Sequence, residues 1–369
     1  MRIDRVELRY LSLPMGQGFE TSFGRTTRKD FLLLAVSADG VTGYGECVAD
    51  EDPYYLPETI GTVHHLLRDF LVPLALSREF DHPRDLWSAM AHVRGHEMAK
   101  ATLEMAAWEL EARRQGRPLY ALLGGRGGAI AAGVSVGLQS GTAALVDAVA
   151  KEAAAGYQRV KIKIKPGRDV ALVAALRARF PDLPLMVDAN NAYTLADRPV
   201  FEALDAHRLT MIEQPLAWDD FVDHAALQRG LRTPLCLDES IRSTANARHA
   251  LDLQACRVIN VKVGRIGGFT EALALHELCV ARGVPLWCGG MVESGIGRLA
   301  NVHLQTLPGF TLPGDTSASA RYFAEDLVDP PVTVSPAGTI EVPEGPGIGR
   351  DIVWERVERA TKWREAWTR

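Results

Sequence analysis

Hydrophobic and polar positions divide the chain into two kinds of region. Residues 1–50 contain runs such as RIDRVELRYLSL, in which apolar and polar residues alternate before turn residues, and this pattern predicts antiparallel strands. Residues 55–72, 84–95 and 97–115 carry apolar residues at helical spacing, so we expect three helices there. Strands followed by a run of helices indicate an α+β unit in the first part of the chain.

After residue 130, short apolar runs of strand length alternate with stretches that are each long enough for one helix. Eight such units of about 25 residues match the size of a (β/α)₈ barrel, which is an α/β fold. A doubly wound sheet fits less well, because GVSVGLQSG does not match the GxGxxG turn expected after its first strand. The expected strands are 133–138, 160–165, 183–190, 209–215, 233–240, 257–264, 284–291 and 310–315.

Charged residues recur at a fixed interval along these strands. Four of them are 25 residues apart and the fifth follows after 24, and they are Lys163, Asp188, Glu213, Asp238 and Lys262. Each lies near the carboxyl end of an expected strand, and in a parallel barrel those ends form the face where active sites are built. Strand alternation directs Val160 and Ile162 towards the outer helices and Lys161 and Lys163 into the barrel mouth.

Three inward carboxylates would repel one another in a partly dehydrated cavity, and a divalent cation would relieve that repulsion. An oxygen-only set without His or Cys favours Mg²⁺, with Mn²⁺ as a possible substitute, over zinc. Lys163 and Lys262 are four strands apart, which places them on opposite sides of an eight-stranded barrel. Two opposed amines suit removal of a proton alpha to a carboxylate from one face and its return to the other. Lys161 is expected to tune Lys163 through charge repulsion.

Composition narrows the choice of partner and compartment. The chain has 41 Lys+Arg and 46 Asp+Glu residues, a net charge of −5, which argues against nucleic acid or an anionic membrane as its partner. No run approaches the roughly 20 apolar residues that a membrane span needs, and MRIDRVELRY lacks a signal-peptide core. The five cysteines are scattered and form no CxxC pair, so we expect free thiols and a cytoplasmic protein.

Several motifs together carry a family resemblance. They are KIKIKPG, VDANNAY, IEQP, CLDES, NVKVGRIGG, WCGGMVESGIG and LPGDTSAS. This set resembles the muconate-lactonizing subgroup of the enolase superfamily, and within it the o-succinylbenzoate synthase / N-acylamino acid racemase family, over essentially the whole chain. The resemblance implies a modified TIM barrel over residues 126–321, with an α+β capping domain of residues 1–125 on which residues 322–369 pack.

The resemblance also implies roles for single residues. The implied Mg²⁺ ligands are Asp188, Glu213 and Asp238, the implied acid/base residues are Lys163 and Lys262, and Lys161 is the neighbour that tunes Lys163. The positions that match substrate contacts are Ser135, Asn190, Phe19, Phe23, Gly290 and Met291, together with the loop around Ala49 and Asp50.

The implied chemistry is removal of the α-proton of a carboxylate to give a metal-stabilised enediolate. Loss of a β-hydroxyl then completes the synthase reaction of menaquinone biosynthesis, and return of a proton completes racemisation of an N-acylated amino acid. The sequence leaves open which of the two is the biological role. We expect a small carboxylate as substrate and a homo-oligomer as the working form.

Other functions stay open beside this one. Muconate cycloisomerase is the main rival for the substrate, and dipeptide epimerase is less favoured because the eighth expected strand reads GDTS, where Asp315 stands alone, instead of DxD. A metal-free Schiff-base lyase would use Lys163 or Lys262 as a nucleophile. A non-catalytic binding barrel would leave all five spaced charges without a role.

Overall fold

The computed structural model describes residues 1–20 and 25–369, and at residues 17, 19, 20, 25 and 26 it describes the backbone only. Phe23 and the side chain of Phe19 therefore lie outside the described residues. Within the described ranges, no helix is both long and apolar enough to cross a membrane.

The first part of the chain forms an antiparallel sheet from β1 (Arg5–Glu20), β2 (Arg25–Ala38) and β3 (Val41–Cys47). Asp39 and Gly40 connect β2 to β3 with φ values of 53° and 78°. Two successive residues in the left-handed region form the tight turn whose twist matches that of paired strands. The predicted strands of residues 1–50 are thus present.

Five helices follow the sheet, and α4 packs directly against it. They are α1 (Ile60–Leu66), α2 (Val72–Ser77), α3 (Pro83–Met90), α4 (Glu97–Arg114) and α5 (Leu119–Leu123), with a π-helical turn at Leu67–Leu71. A Cβ atom on Gly43 would lie 2.2 Å from the backbone nitrogen of Leu110, and one on Gly45 would lie 2.1 Å from the carbonyl oxygen of Thr102. Only glycine at these two positions of β3 lets the helix backbone approach so closely.

A parallel sheet dominates the second part. In the described part of the chain it has seven strands in sequential order. They are β5 (Gly133–Val136), β6 (Arg159–Lys163), β7 (Leu185–Asp188), β8 (Ile212–Glu213), β9 (Leu235–Leu237), β10 (Val258–Val261) and β11 (Leu286–Cys288). The helices between and after them are α6 (Thr142–Ala154), α7 (Val170–Arg179), α8 (Arg198–Leu204), α9 (Val222–Gln228), α10 (Thr244–Asp252), α11 (Phe269–Ala281) and α12 (Gly295–Leu304). Short 3₁₀ turns lie at Leu195–Asp197, Asp205–His207 and Ser319–Arg321.

The eighth expected strand, residues 310–315, does not form a strand, so the prediction of eight regular strands is corrected. Instead, this segment makes single parallel bridges to both edges of the sheet, Phe310 with Leu286 of β11 and Gly314 with Ala132 before β5. Pro313 in FTLPGD limits regular pairing, because proline has no N–H to donate to a strand ladder. The irregular segment nonetheless bonds to both edges and joins them into a ring.

The ring has an apolar interior that is separate from the main core. This inner cluster consists of Met186, Met211, Cys236, Val258 and Trp287, all buried. Each of the first three lies two residues before an acidic residue on the same strand face, so the interior cluster forms the floor beneath the charged mouth. The alternate residues pack outside, in the main core, against the helices.

The last part of the chain returns to the first sheet. Its elements, together with β4 (Ala129–Ala131), are β12 (Val328–Asp329), β13 (Thr339–Glu341), β14 (Asp351–Ile352), α13 (Trp354–Ala360) and β15 (Thr361–Thr368). Strand β13 pairs with β4, and β15 pairs antiparallel with β1 as the fourth strand of the first sheet. The exact domain limits at residues 125 and 321 remain a prediction.

Candidate active site

Lys161 lies at the centre of an acidic cluster at the carboxyl ends of the strands. Its Nζ is 2.6 Å from Asp315 Oδ2, 2.9 Å from Glu213 Oε2 and 3.2 Å from Asp188 Oδ2, and it stands 5.0 Å from the centre of the Trp287 ring. Burial alone would lower the pKa of Lys161, but the charges of Asp315 and Glu213 outweigh burial and hold the pKa well above its ordinary value. Lys161 is therefore a fixed positive charge.

Lys163 ends β6 and binds two groups at the end of the neighbouring strand, β7. Its Nζ donates to Asp188 Oδ2 and to Asn190 Oδ1, both at 2.6 Å. Asn190 has a φ of 41°, and its backbone N–H donates to Asp188 Oδ1 at 3.0 Å. Its side-chain amide donates to Glu239 Oε1 at 3.0 Å, so the amide oxygen faces the lysine.

Lys262, directly after β10, approaches the cluster from the other side. Its Nζ donates to Asp238 Oδ2 at 2.8 Å and to the hydroxyl of Tyr55, which itself donates to Asp238 Oδ2 at 3.1 Å. Arg265 donates to the second oxygen of Asp238. Burial would raise the pKa of Asp238, but Arg265 and Lys262 outweigh it and hold the pKa far below the ordinary range.

Glu213 ends β8, which lies between the strands of Asp188 and Asp238, and it is fully buried. Its Oε1 accepts from the Asn260 amide at 2.8 Å, and its Oε2 accepts from Lys161. Burial and the nearby Asp188 carboxylate raise the pKa of Glu213 to about 8. Burial and the Asp238 carboxylate likewise raise the pKa of Glu239 to about 7. Adjacent buried carboxylates thus disfavour each other's charged form.

The predicted metal ligands fit a hard cation by their chemistry. Asp188, Glu213 and Asp238 are buried carboxylates at the ends of three adjacent strands, and they offer oxygen only. In the described residues, however, no three His, Cys, Asp or Glu side chains are arranged to hold a metal ion. Lysine ammonium groups contact these carboxylates, Lys161 with Glu213, Lys163 with Asp188 and Lys262 with Asp238. A dication bound here would favour the charged form of Glu213, whose pKa is raised by burial and by Asp188.

A cavity of about 350 Å³ opens above the cluster and is lined by residues from both parts of the chain. Several predicted site residues line it, namely Lys161, Lys163, Lys262, Ser135, Asn190, Gly290, Met291 and Asp50. Ala49 is buried next to Asp50 and does not line the cavity. The side chain of Phe19 and all of Phe23 lie outside the described residues, so their contacts with substrate stay predictions.

Sequence reasoning missed four residues that hold the cluster. Arg159 donates to Asp315 Oδ1 at 2.7 Å and stacks 4.7 Å from the Trp287 ring. Strand alternation could have found Arg159, since it lies two residues before Lys161 on the same face. Tyr55 and Arg265 lie in irregular segments without a periodic signal, and the sequence around Asp315 does not indicate its two cationic partners.

Two family models together cover most of the chain. The Mandelate racemase / muconate lactonizing enzyme, N-terminal domain, matches residues 6–124, and the Enolase C-terminal domain-like model matches residues 144–356. The chain belongs to the enolase superfamily. The predicted superfamily, the barrel with an α+β cap and the prediction of an enzyme are therefore confirmed.

Relatives within this superfamily cover nearly the full length. The o-succinylbenzoate synthase of Geobacillus stearothermophilus is 50% identical over an alignment of 370 residues, which covers 100% of this chain and 98% of the relative. The N-succinylamino acid racemase of Thermus thermophilus is 47% identical over 363 residues, 98% of each chain. A solved enolase-superfamily member from Listeria innocua has a TM-score of 0.97 and 39% identity, covering 100% of this chain and 99% of its own.

Muconate cycloisomerase, the main rival function from the sequence, is represented by a more distant relative. The chloromuconate cycloisomerase of Pseudomonas putida is 26% identical over 98% of this chain and 100% of its own length. The predicted resemblance to the o-succinylbenzoate synthase / N-acylamino acid racemase family is confirmed by relatives of about twice that identity.

Proposed function

We propose that this enolase-superfamily member removes the α-proton of a small carboxylate as an o-succinylbenzoate synthase, an N-succinylamino acid racemase, or both. One observation carries the proposal. Lys163 and Lys262 line the same cavity from opposite sides of the ring, with β7, β8 and β9 between them on one side and β11, segment 310–315 and β5 on the other. The names of the full-length relatives supply the two candidate substrates.

We further infer that Asp188, Glu213 and Asp238 hold Mg²⁺, or Mn²⁺ in its place, because their donor chemistry suits a hard dication. A bound dication supplies positive charge that stabilises the negative charge developing on the substrate carboxylate. Lys161 adds a second fixed positive charge, since Asp315 and Glu213 keep it protonated. The predicted tuning of Lys163 by Lys161 remains part of this proposal.

The lysines then divide the proton transfers between them. In the synthase reaction Lys163 takes the α-proton of a hydroxycyclohexadiene carboxylate and gives it to the departing β-hydroxyl, which leaves as water while the ring becomes aromatic. Lys262 stays protonated there and attracts the negative charge of the intermediate. In the racemase reaction one lysine takes the α-proton of an N-succinylamino acid and the other donates a proton to the opposite face.

The site argues against a dipeptide epimerase. Such an enzyme would need a free carboxylate for the substrate's ammonium group, but Asp315 already binds both Arg159 and Lys161. A Schiff-base lyase would use Lys163 or Lys262 as a nucleophile without metal, and the EDTA and borohydride experiments below test it. Support for muconate cycloisomerase comes from a relative of 26% identity, well below the relatives named as synthase and racemase.

The test is ¹H NMR exchange in D₂O with Mg²⁺, using each enantiomer of an N-succinylamino acid, the synthase substrate and muconolactone. We expect loss of the α-proton signal with both enantiomers. Lys163→Ala and Lys262→Ala should each lose exchange of one enantiomer by about 10²- to 10⁴-fold, the usual worth of a general base. Lys165→Ala is the matched control, because Lys165 follows the same strand but does not line the cavity.

Removal of metal is the second arm. EDTA should abolish exchange and added Mg²⁺ should restore it, whereas a Schiff-base lyase would keep its activity and would be trapped by borohydride. Exchange with muconolactone alone would contradict the proposed substrates. The cytoplasmic location and the homo-oligomer remain predictions beside this proposal.

A further inference from the structure

Residues 289–294, between β11 and α12, form one wall of the cavity. Gly290, Met291, Val292 and Glu293 all line it. Val292 has a φ of 61°, which a β-branched side chain rarely adopts because of steric conflict with its own backbone. Such a conformation persists only when the surrounding structure imposes it. The wall therefore depends on its anchors.

Some of these anchors lie within the barrel. Glu293 Oε1 accepts from the backbone N–H of Met291 and from the Asn301 amide, both at 2.9 Å. Arg298 donates to the carbonyl oxygen of Glu293 at 2.7 Å. Asn301 and Arg298 both belong to α12, so the position of this helix fixes the wall.

The other anchor comes from the first sheet. Glu46 of β3 is buried, and its Oε1 accepts from the backbone N–H of Ser294 at 2.8 Å. Its Oε2 accepts from the hydroxyl of Ser294 and from the backbone N–H of Gly297 at 3.0 Å. One carboxylate of the cap thus holds the residue where the wall ends and α12 begins.

We propose that Glu46 is a positioning residue that fixes the 289–294 wall and thereby sets the affinity for the substrate. This inference rests on the proposed function. Glu46 neither lines the cavity nor contacts either lysine, so it acts through Ser294. The amino terminus of α12 has a second carboxylate acceptor, because Asp326 accepts from the Gly295 N–H at 2.6 Å. Loss of Glu46 therefore leaves this hydrogen bond at the start of the helix and removes a restraint on Val292.

Glu104 provides a matched control. It is equally buried and belongs to the same cap, and it accepts from the backbone N–H groups of Phe269 and Thr270, at 2.7 and 2.8 Å, at the start of α11. Neither of these two residues lines the cavity. Glutamine at either position places an amide donor against backbone donors, so both variants lose hydrogen bonds of the same kind.

The experiment measures KM and kcat of Glu46→Gln and Glu104→Gln with the substrate that the wild type turns over, together with their melting temperatures. We expect Glu46→Gln to raise KM about tenfold with kcat within twofold, which corresponds to loss of about 1.4 kcal/mol of binding. Glu104→Gln should melt at a lower temperature but keep both constants within twofold.

Three outcomes decide the matter. Equal KM values for the two variants would overturn the inference, since a merely structural role predicts equality. If Glu46→Gln does not fold, Ser294→Ala replaces it. This variant removes the hydroxyl, which donates to Glu46 Oε2 and accepts from the Ile296 N–H at 3.3 Å, but it keeps the backbone hydrogen bonds to Glu46. A KM rise of about threefold supports the inference and an unchanged KM overturns it. A wild type without turnover of either substrate would refute the proposed function, and the inference with it.

Discussion

Asp315→Asn tests the electrostatic account of the site most directly. The Asp315 side chain is only 9% exposed, and it accepts from Arg159 at 2.7 Å and from Lys161 at 2.6 Å. Asparagine keeps the shape but removes the charge, and its amide turns a donor towards one of the two cations. Both cations would then remain buried with less compensation, stacked on the Trp287 ring.

The expected cost follows from this burial. Breaking a buried ion pair by removing one partner costs about 3–5 kcal/mol of unfolding free energy, because the partner's charge stays buried without its counter-charge. Here Arg159 loses its carboxylate partner while Lys161 keeps Glu213 and Asp188, so we expect a loss at the lower end of that range, about 3 kcal/mol. That is a large part of the roughly 5–15 kcal/mol that stabilises a typical protein.

The pH dependence gives a second signature. Burial would raise the pKa of Asp315, but Arg159 and Lys161 outweigh it and hold the pKa well below the ordinary value. A lowered pKa in the folded state stabilises the protein fully above the unfolded-state pKa, and this contribution is lost as the pH falls below it. The difference between wild type and Asp315→Asn should therefore be full at pH 7 and shrink below about pH 4.

Urea unfolding followed by circular dichroism measures both quantities. Glu325→Gln is the matched control, because it removes a carboxylate from an exposed pair with Arg359 and should cost less than about 1 kcal/mol. A loss below about 1 kcal/mol for Asp315→Asn at pH 7, or one independent of pH, would refute the reasoning.

Two further predictions concern packing and buried histidine. Gly43→Ala should lower the unfolding free energy by about 1–3 kcal/mol, because its Cβ would lie 2.2 Å from the backbone nitrogen of Leu110; thermal unfolding beside Gly16→Ala, where nothing lies within 4 Å, checks this, and equal melting temperatures would contradict it. Burial lowers the pKa of His303 to about 4, so its neutral ring accepts from the Tyr120 N–H and the folded protein loses stability as the pH falls through about 6.5. His303→Gln keeps an acceptor but cannot titrate, and it should lose about 2 kcal/mol less than wild type between pH 7 and 5 in urea unfolding; equal losses would contradict the assignment.

Residue pattern alone could predict the part of the fold that depends on periodicity. Repeated apolar runs are a strong signal, because each strand of a parallel barrel is covered on both faces. The same regularity placed Lys163, Asp188 and Glu213 at strand ends, where the structure has them. The eighth segment broke the pattern, because Pro313 in FTLPGD has no N–H to donate to a ladder, and a barrel can still close through single bridges.

The rest of the site depends on contacts between distant parts of the chain. Tyr55 reaches Asp238 across 183 residues, and Arg159 reaches Asp315 across 156. No local pattern encodes such pairs, since the first is set by how the cap packs on the barrel and the second by how segment 310–315 closes the barrel. The ion pairs among the lysines and carboxylates were also missed, because spacing predicts which residues share a face but not which neighbour neutralises which charge.

The pairing of β15 with β1 has a consequence for how the protein folds. Arg5 of β1 pairs with Thr368 of β15, and the backbone N–H of Arg369 donates to the carbonyl oxygen of Asp4 at 3.1 Å. Closing so long a loop costs chain entropy before the pairing returns any stability, so this edge of the first sheet should be covered late in folding. Until then β1 exposes unpaired backbone groups on which another chain could add a strand, which makes this edge the expected start of misassembly.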